Sequence, residues 1–202
     1  MGNEARCKVR FGKQESEGKA LLEMSEVLFR GDFRLKIPFT SIKSAKTVGA
    51  ELRLQTDKGL ASFQLGAAAE KWLQKILHPK SRIEKLGVKE TDRIGVIGAF
   101  DADFIRELKA NCKQVRRGRM NRHMESIFLA VGSPKELMNV LKCRETLQGA
   151  MALWVVYPRG QQDITENQVL MAGRQVGLKD VKVVGFSATH TALKFVIPLA
   201  KR

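Results

Sequence analysis

The apolar residues of this chain change rhythm at about residues 79–92, and nothing else in the sequence constrains its fold as strongly. Before that point apolar and polar residues mostly alternate, the period of a strand with one buried face. After it, short apolar runs take turns with helical patterns, beginning at Arg93-Ile94-Gly95-Val96-Ile97-Gly98-Ala99. Two folding patterns meet at a basic seam. The pattern predicts a domain over 1–79, a linker over 80–92 and a second domain over 93–202. A chain of 202 residues is long enough for two units that each bury a core.

In the first part, Phe33, Leu35, Ile37 and Phe39 share one face of a strand, with Arg34 and Lys36 on the other. Pro38 cannot donate to a ladder, so this strand is expected to end there or to lie at an edge. Leu52/Leu54 and Ala61/Phe63/Leu65 alternate on either side of Asp57-Lys58-Gly59, a hairpin loop with glycine at the left-handed position. Cys7/Val9/Phe11, Leu22/Met24 and Val27/Phe29 mark three earlier strands. Ala69, Trp72, Leu73 and Ile76 recur at helical spacing, and Pro79 stops that helix. Six or seven short strands and one closing helix resemble the pleckstrin-homology superfold, a bent antiparallel sheet with a C-terminal helix. Arg34 and Lys36 are read as the solvated face of their strand, and membrane binding is not expected.

In the second part, the apolar run 94–100 precedes a helix at about 102–110 carrying Phe104, Ile105 and Leu108. A strand follows at 126–131. Ser133-Pro134-Lys135-Glu136 then has the chemistry of a helix start, with Leu137, Val140 and Leu141 as its core stripe. The run Ala150–Tyr157 suits a strand covered on both faces. Asp163 and Glu166 are spaced as a cap and its partner for a helix over 164–176, which Gly177 ends. Strands at 180–187 and 191–198, separated by a few residues, are expected to be antiparallel neighbours. The fold class read from these patterns is α+β then α/β: a pleckstrin-homology-like domain followed by a small Rossmann-like three-layer domain around a mainly parallel sheet.

Charge and cysteine usage bound the function. The net charge of +15 divides into +6 over residues 1–84 and +9 over 85–202, so the excess is not a tail. Such a field attracts polyanions without implying a specific function. No apolar run approaches the roughly 20 residues that span a bilayer. The N-terminus lacks a hydrophobic signal segment, and Arg6 stands where a myristoylation motif at Gly2 would need Ser or Thr. Cys7, Cys112 and Cys143 are odd in number and far apart, and His78, His123 and His190 lack ligand spacing. A cytoplasmic protein with reduced thiols and no metal site is expected.

Several residues are candidates for chemistry. Gly95 and Gly98 look like part of a dinucleotide fingerprint, but the spacing Gly95-Val96-Ile97-Gly98-Ala99-Phe100-Asp101 is wrong. Asp101 stands where phosphate would approach, so it is read as a helix cap, and no cofactor is assigned. Lys113, Arg116, Arg117, Arg119 and Arg122 form a dense basic segment without an acid, able to neutralise phosphates. No aromatic residue lies between Phe104 and Phe128, so this segment has no platform for stacking bases. His190 sits in the connection between the last two strands, where an imidazole can exchange protons near neutral pH. Arg159 follows the strand 150–157 at the carboxyl edge of the sheet, the usual ligand edge of such folds.

Leu153-Trp154-Val155-Val156-Tyr157-Pro158-Arg159-Gly160, Asp163-Ile164-Thr165-Glu166, Gly177-Leu178-Lys179-Asp180-Val181-Lys182-Val183 and Thr189-His190-Thr191-Ala192-Leu193-Lys194-Phe195-Val196 resemble a bacterial family described only as a domain of unknown function. Phe29-Arg30-Gly31-Asp32-Phe33-Arg34-Leu35-Lys36-Ile37-Pro38 and Glu70-Lys71-Trp72 are similar to the stretch preceding that domain in its relatives. The resemblance implies no activity and no catalytic residues. The first functional expectation is a non-catalytic binding or regulatory protein for an anionic small molecule or a protein partner. In it Gly98, Asp101, Asp103, Arg159 and His190 serve a ligand, and the segment 113–122 supplies anion-binding charge. The alternatives are nucleic-acid binding through that segment, and an enzyme acting on a nucleotide-type substrate.

Overall fold

The computed structural model describes residues 3–23, 25–118 and 120–201. Gly2, Met24 and Arg119, each part of a reading above, lie outside these residues. The chain divides into two compact units, Met1–Lys80 and Ser81–Arg202.

The first unit is a meander of seven antiparallel strands: β1 (Asn3–Phe11), β2 (Gln14–Leu22), β3 (Glu26–Arg30), β4 (Arg34–Pro38), β5 (Ile42–Val48), β6 (Glu51–Thr56) and β7 (Gly59–Gln64). They form one sheet in the order β4-β3-β2-β1-β7-β6-β5. β1 pairs along its whole length with β2 but meets β7 only through Val9, Arg10 and Phe11, so the two halves of the sheet splay apart and curl. Val9, Val27, Phe29, Leu52, Leu54 and Phe63 fill the concave face. Helix α1 (Ala68–Leu77) lays Ala69, Trp72, Leu73 and Ile76 into the same core. Pro38 ends β4 at the sheet edge, where its missing N–H costs no ladder bond.

The second unit begins with helix α2 (Arg82–Leu86), inside the stretch expected to be a linker. Ser81 accepts from the Glu84 N–H and Glu84 accepts from the Ser81 N–H, a complete capping box. Ile83 and Leu86 are buried in this unit's core. Then follow β8 (Arg93–Ile97), α3 (Ala102–Asn111), β9 (Gln114–Arg117), β10 (Ser126–Ala130), α4 (Asn139–Thr146), β11 (Ala152–Pro158), α5 (Glu166–Gln175), β12 (Lys179–Gly185) and β13 (His190–Val196). The sheet order is β12-β13-β11-β10-β8-β9. β9, β8, β10 and β11 run parallel, whereas β13 is antiparallel to both β11 and β12. Residues of α4 and α5 pack with one face of this sheet, and those of α2 and α3 with the other.

These observations correct the expected fold class. In place of a pleckstrin-homology-like domain, the first unit is a single large curled sheet, continuous because β1 pairs on both of its edges. In place of a small Rossmann-like domain around a mainly parallel sheet, the second has a mixed sheet, because the short turn after β12 leaves β13 no route to a parallel position. Strands dominate: none of the five helices described exceeds 10 residues. Local details also differ. Helix α5 is capped by Thr165 with Gln168 rather than by Asp163 with Glu166. In α4, Val140 and Cys143 are buried while Leu141 points outward.

Candidate functional site

The carboxyl ends of β8, β10 and β11 open into a crevice of about 580 Å³, closed on one side by the turn between β12 and β13. The chain leaves β8 for β9 on one side and returns to β10 on the other. The loops after β8 and β10 therefore diverge and leave the gap in which open α/β sheets receive ligands. The volume suits a small molecule. The cavity of the first unit, between Lys8, Glu15 and Ser62, is about 50 Å³ and has room for little more than water.

Backbone chemistry builds the walls. Gly98 adopts φ +88°, and a Cβ there would lie 3.0 Å from both the Cβ and the carbonyl oxygen of Ala130. Only glycine lets the chain turn out of β8 against the end of β10. Asp101 then caps α3, its Oδ1 accepting from the Phe104 N–H at 2.7 Å. After β10, Glu136 reaches back so that its Oε2 accepts from the N–H groups of Gly132 and Ser133, at 2.6 and 3.1 Å.

Arg82 organises the charge. Its guanidinium makes a two-pronged contact with Glu107, at 2.9 and 3.0 Å, and donates to both oxygens of Asp101 at 3.3 Å. It also lies 4.9 Å from the ring centre of Phe104 and 4.8 Å from that of Phe186. The side chain is 14% exposed, so these partners replace most of its hydration. Burial opposes its charge, but the two carboxylates outweigh it and hold Arg82 above the ordinary arginine range. Burial likewise pushes the Asp101 carboxyl up. The Phe104 N–H and the facing guanidinium win, and it rests below the usual carboxylate range.

Asp101, Asp103, Glu107 and Glu136 thus line a crevice whose one guanidinium is already engaged. Among the described residues no cluster of His, Cys, Asp and Glu is arranged to hold a metal ion. Across from the acids, His190 Nδ1 lies 2.9 Å from Thr189 Oγ1 and 3.5 Å from Ser187 Oγ. Its Nε2 has no hydrogen-bond partner among the described residues.

The structure brings Asp101, Asp103 and His190 together on the crevice, with Gly98 shaping its floor. Arg159 is not part of the wall. It is exposed, its N–H donates to the Thr189 carbonyl at 2.7 Å, and its Nε reaches Thr191 Oγ1 at 3.4 Å. Lys113, Arg116, Arg117 and Arg122 are exposed on and around β9, outside the crevice. Arg82, Glu107, Glu136 and the Phe100–Phe186 pair escaped sequence reasoning. The Ser81-x-x-Glu84 box was the available signal for the helix that carries Arg82.

No protein-family model matches the sequence, and no protein of curated function matches it. Among solved structures, a SAM-dependent methyltransferase from Aquifex aeolicus is 14% identical, with 57% of this chain and 87% of that one covered and a TM-score of 0.46. An O-methyltransferase from neocarzinostatin biosynthesis, solved with S-adenosyl-L-homocysteine and 1,4-dihydroxy-2-naphthoic acid, is 7% identical over 64% of this chain and 56% of that one, with a TM-score of 0.45. The C-terminal domain of an unknown protein from Leishmania infantum is 13% identical over 34% and 72% of the two chains, with a TM-score of 0.29. These partial likenesses carry no activity over to this chain.

The expectation of a non-catalytic binding or regulatory protein for an anionic ligand, which leaned against an enzyme, is corrected by the charge of the crevice. Within the chain itself, an anion entering the crevice would meet four carboxylates and no free guanidinium.

Among the described residues no helix is long and apolar enough to cross a membrane.

Proposed function

We propose that the second unit is the catalytic part of an enzyme acting on a nucleotide-type substrate, held in the crevice through its nucleoside portion. The charge of the crevice carries this reading: its four acids outnumber Arg82, which lines it, and Arg106, which pairs with Asp103, so a neutral or cationic group fits and a buried phosphate does not. Carboxylates accept hydrogen bonds from ribose hydroxyls, and the rings of Phe100 and Phe186, 5.9 Å apart, offer an apolar wall for a base. His190 is the group we assign to proton transfer, its ring oriented by Thr189 and its Nε2 left for the substrate. A reducing, cytoplasmic setting belongs to the same reading, supported by three cysteines without disulfide partners.

Titration calorimetry with adenosine, S-adenosyl-L-homocysteine and ATP tests the proposal. The first two should bind, with ATP at least about tenfold weaker because its phosphates face the acids. The double variant Asp103→Asn/Glu136→Gln should narrow that gap. Tighter binding of ATP than of adenosine to the unmodified protein would overturn the assignment.

A further inference from the structure

We infer that the substrate of this crevice is a strand of nucleic acid whose phosphates rest on the basic segment 113–122. The inference deepens the nucleoside reading above and rests on it. Three observations support it. First, Lys113, Arg116, Arg117 and Arg122 are exposed, and none makes an ion pair among the described residues. Elsewhere among the described residues of the second unit Arg82, Arg93, Arg106 and Arg174 pair with carboxylates and Arg144 and Arg159 do not, so this segment is where cations without an ion pair cluster. Second, the segment is tied to the crevice by the sheet itself. β9 runs parallel beside β8, Arg117 aligns with Val96, and the Gly118 N–H donates to the Val96 carbonyl at 2.9 Å. Arg117 therefore sits two residues short of Gly98, where the crevice floor begins, on a strand about 5 Å away.

Third, the crevice keeps an excess of acid while the cations without an ion pair cluster beside it. An acidic crevice that excludes phosphate, beside an unpaired basic edge strand that attracts it, matches a polymer with phosphates along its backbone and a neutral nucleoside at each step. An acidic peptide would find the segment attractive but bring nothing the crevice accepts. Guanidinium groups also bind phosphate oxygens in pairs, which suits arginine over lysine at Arg116, Arg117 and Arg122. With no aromatic residue in the segment, backbone contact there is indifferent to sequence. A single strand is the expected form, because a duplex would first have to extrude the nucleoside.

Fluorescence anisotropy with a labelled twelve-nucleotide single strand, as RNA and as DNA, tests this on the full chain. Affinity should fall with salt, with a log–log slope of about 0.7 per phosphate contacted. Reversing Lys113, Arg116, Arg117 and Arg122 to Glu should weaken binding at least about thirtyfold and lower the slope by about 3. Should that variant fail to fold by circular dichroism, Arg116→Gln/Arg117→Gln should lower the slope by about 1.4. A stronger effect with RNA than with DNA, or the reverse, identifies the sugar. Unchanged affinity in the folded variants, or competition by polyglutamate as effective as by unlabelled strand, overturns the inference. Adenosine calorimetry on the same variants separates the two readings. Adenosine bound within about twofold of the unmodified protein, with strand binding lost, supports both. Adenosine binding without any strand binding overturns this inference alone, and strand binding without adenosine binding overturns the nucleoside reading with it.

Discussion

The two units of this chain handle charge in opposite ways. In the first, cations and anions are interleaved along the strand faces: Lys8 with Glu15, Lys19 with Glu4, and Lys36 with Glu26. Such pairs are solvated and contribute at most about 1 kcal/mol each. The second also has such pairs, Arg93 with Glu125 and Arg174 with Asp180. There, however, four acids line one crevice, cations without an ion pair cluster on and around β9, and one guanidinium is drawn largely out of water between two carboxylates and two rings. Interleaved charge keeps a sheet soluble and in register. Segregated charge creates a field that a ligand can sense.

That contrast can be broken or sharpened by experiment. The largest effect should come from thiol labelling, which reports on each core separately. Burial pushes the Cys7 thiol up to about 11 and the Cys143 thiol up to about 12, and only the thiolate reacts. Both should label slower than a free cysteine by a factor on the order of 10² to 10³. Chemical denaturant should release Cys7 with the first unit and Cys143 with the second. Rapid labelling of either in the native protein would show that its core is not closed. Arg82→Met comes next, because it leaves Glu107 and Asp101 facing each other without a cation. A loss of about 2 kcal/mol is expected by denaturant titration, since both carboxylates stay solvated. Gly173→Ala should cost about 2 kcal/mol, since a Cβ there would overlap the ring of the buried Phe195.

The pH response sharpens the same comparison. Asp101 is held below the usual carboxylate range in the folded state, so its contribution is fully present above its unfolded value, near 4. It is lost as pH falls through the lower, folded value. Melting temperature should therefore drop on acidification below about pH 4, and less steeply in Arg82→Met; parallel curves would remove Arg82 as the cause. The smallest effect belongs to the first unit. Lys8→Met should change stability by less than about 1 kcal/mol, and a loss as large as that at Arg82 would erase the distinction between the units.

Much of the fold was legible because its signals are local. The stripe Ala69, Trp72, Leu73 and Ile76 marked α1, and all four residues are buried. Phe104, Ile105 and Leu108 did the same for α3. β5 escaped notice because an edge strand with no fully buried residue has no alternation to read. Helix α2 reads as linker in the sequence because its five residues hold only two buried side chains, too few for a period. For the site, Asp101 and His190 were legible from their places after β8 and at the end of the turn that opens β13. Arg82 was not, because its role depends on Glu107, 25 residues away, and on Phe186, far beyond both.

The sequence by itself determined where strand alternation gives way to mixed strands and helices, which faces are apolar, and where the unmatched positive charge accumulates. Periodicity and composition are properties of neighbours along the chain, and they survive without any knowledge of the fold. Only the tertiary structure decided that β1 closes one curled sheet, that β13 turns the second sheet mixed, and that residues of the seam belong to the crevice. It also decided the sign of the crevice. Electrostatic character depends on distance through space and on burial, and Arg82, Asp101, Glu107 and Glu136 become a site only when the sheet edge brings them together.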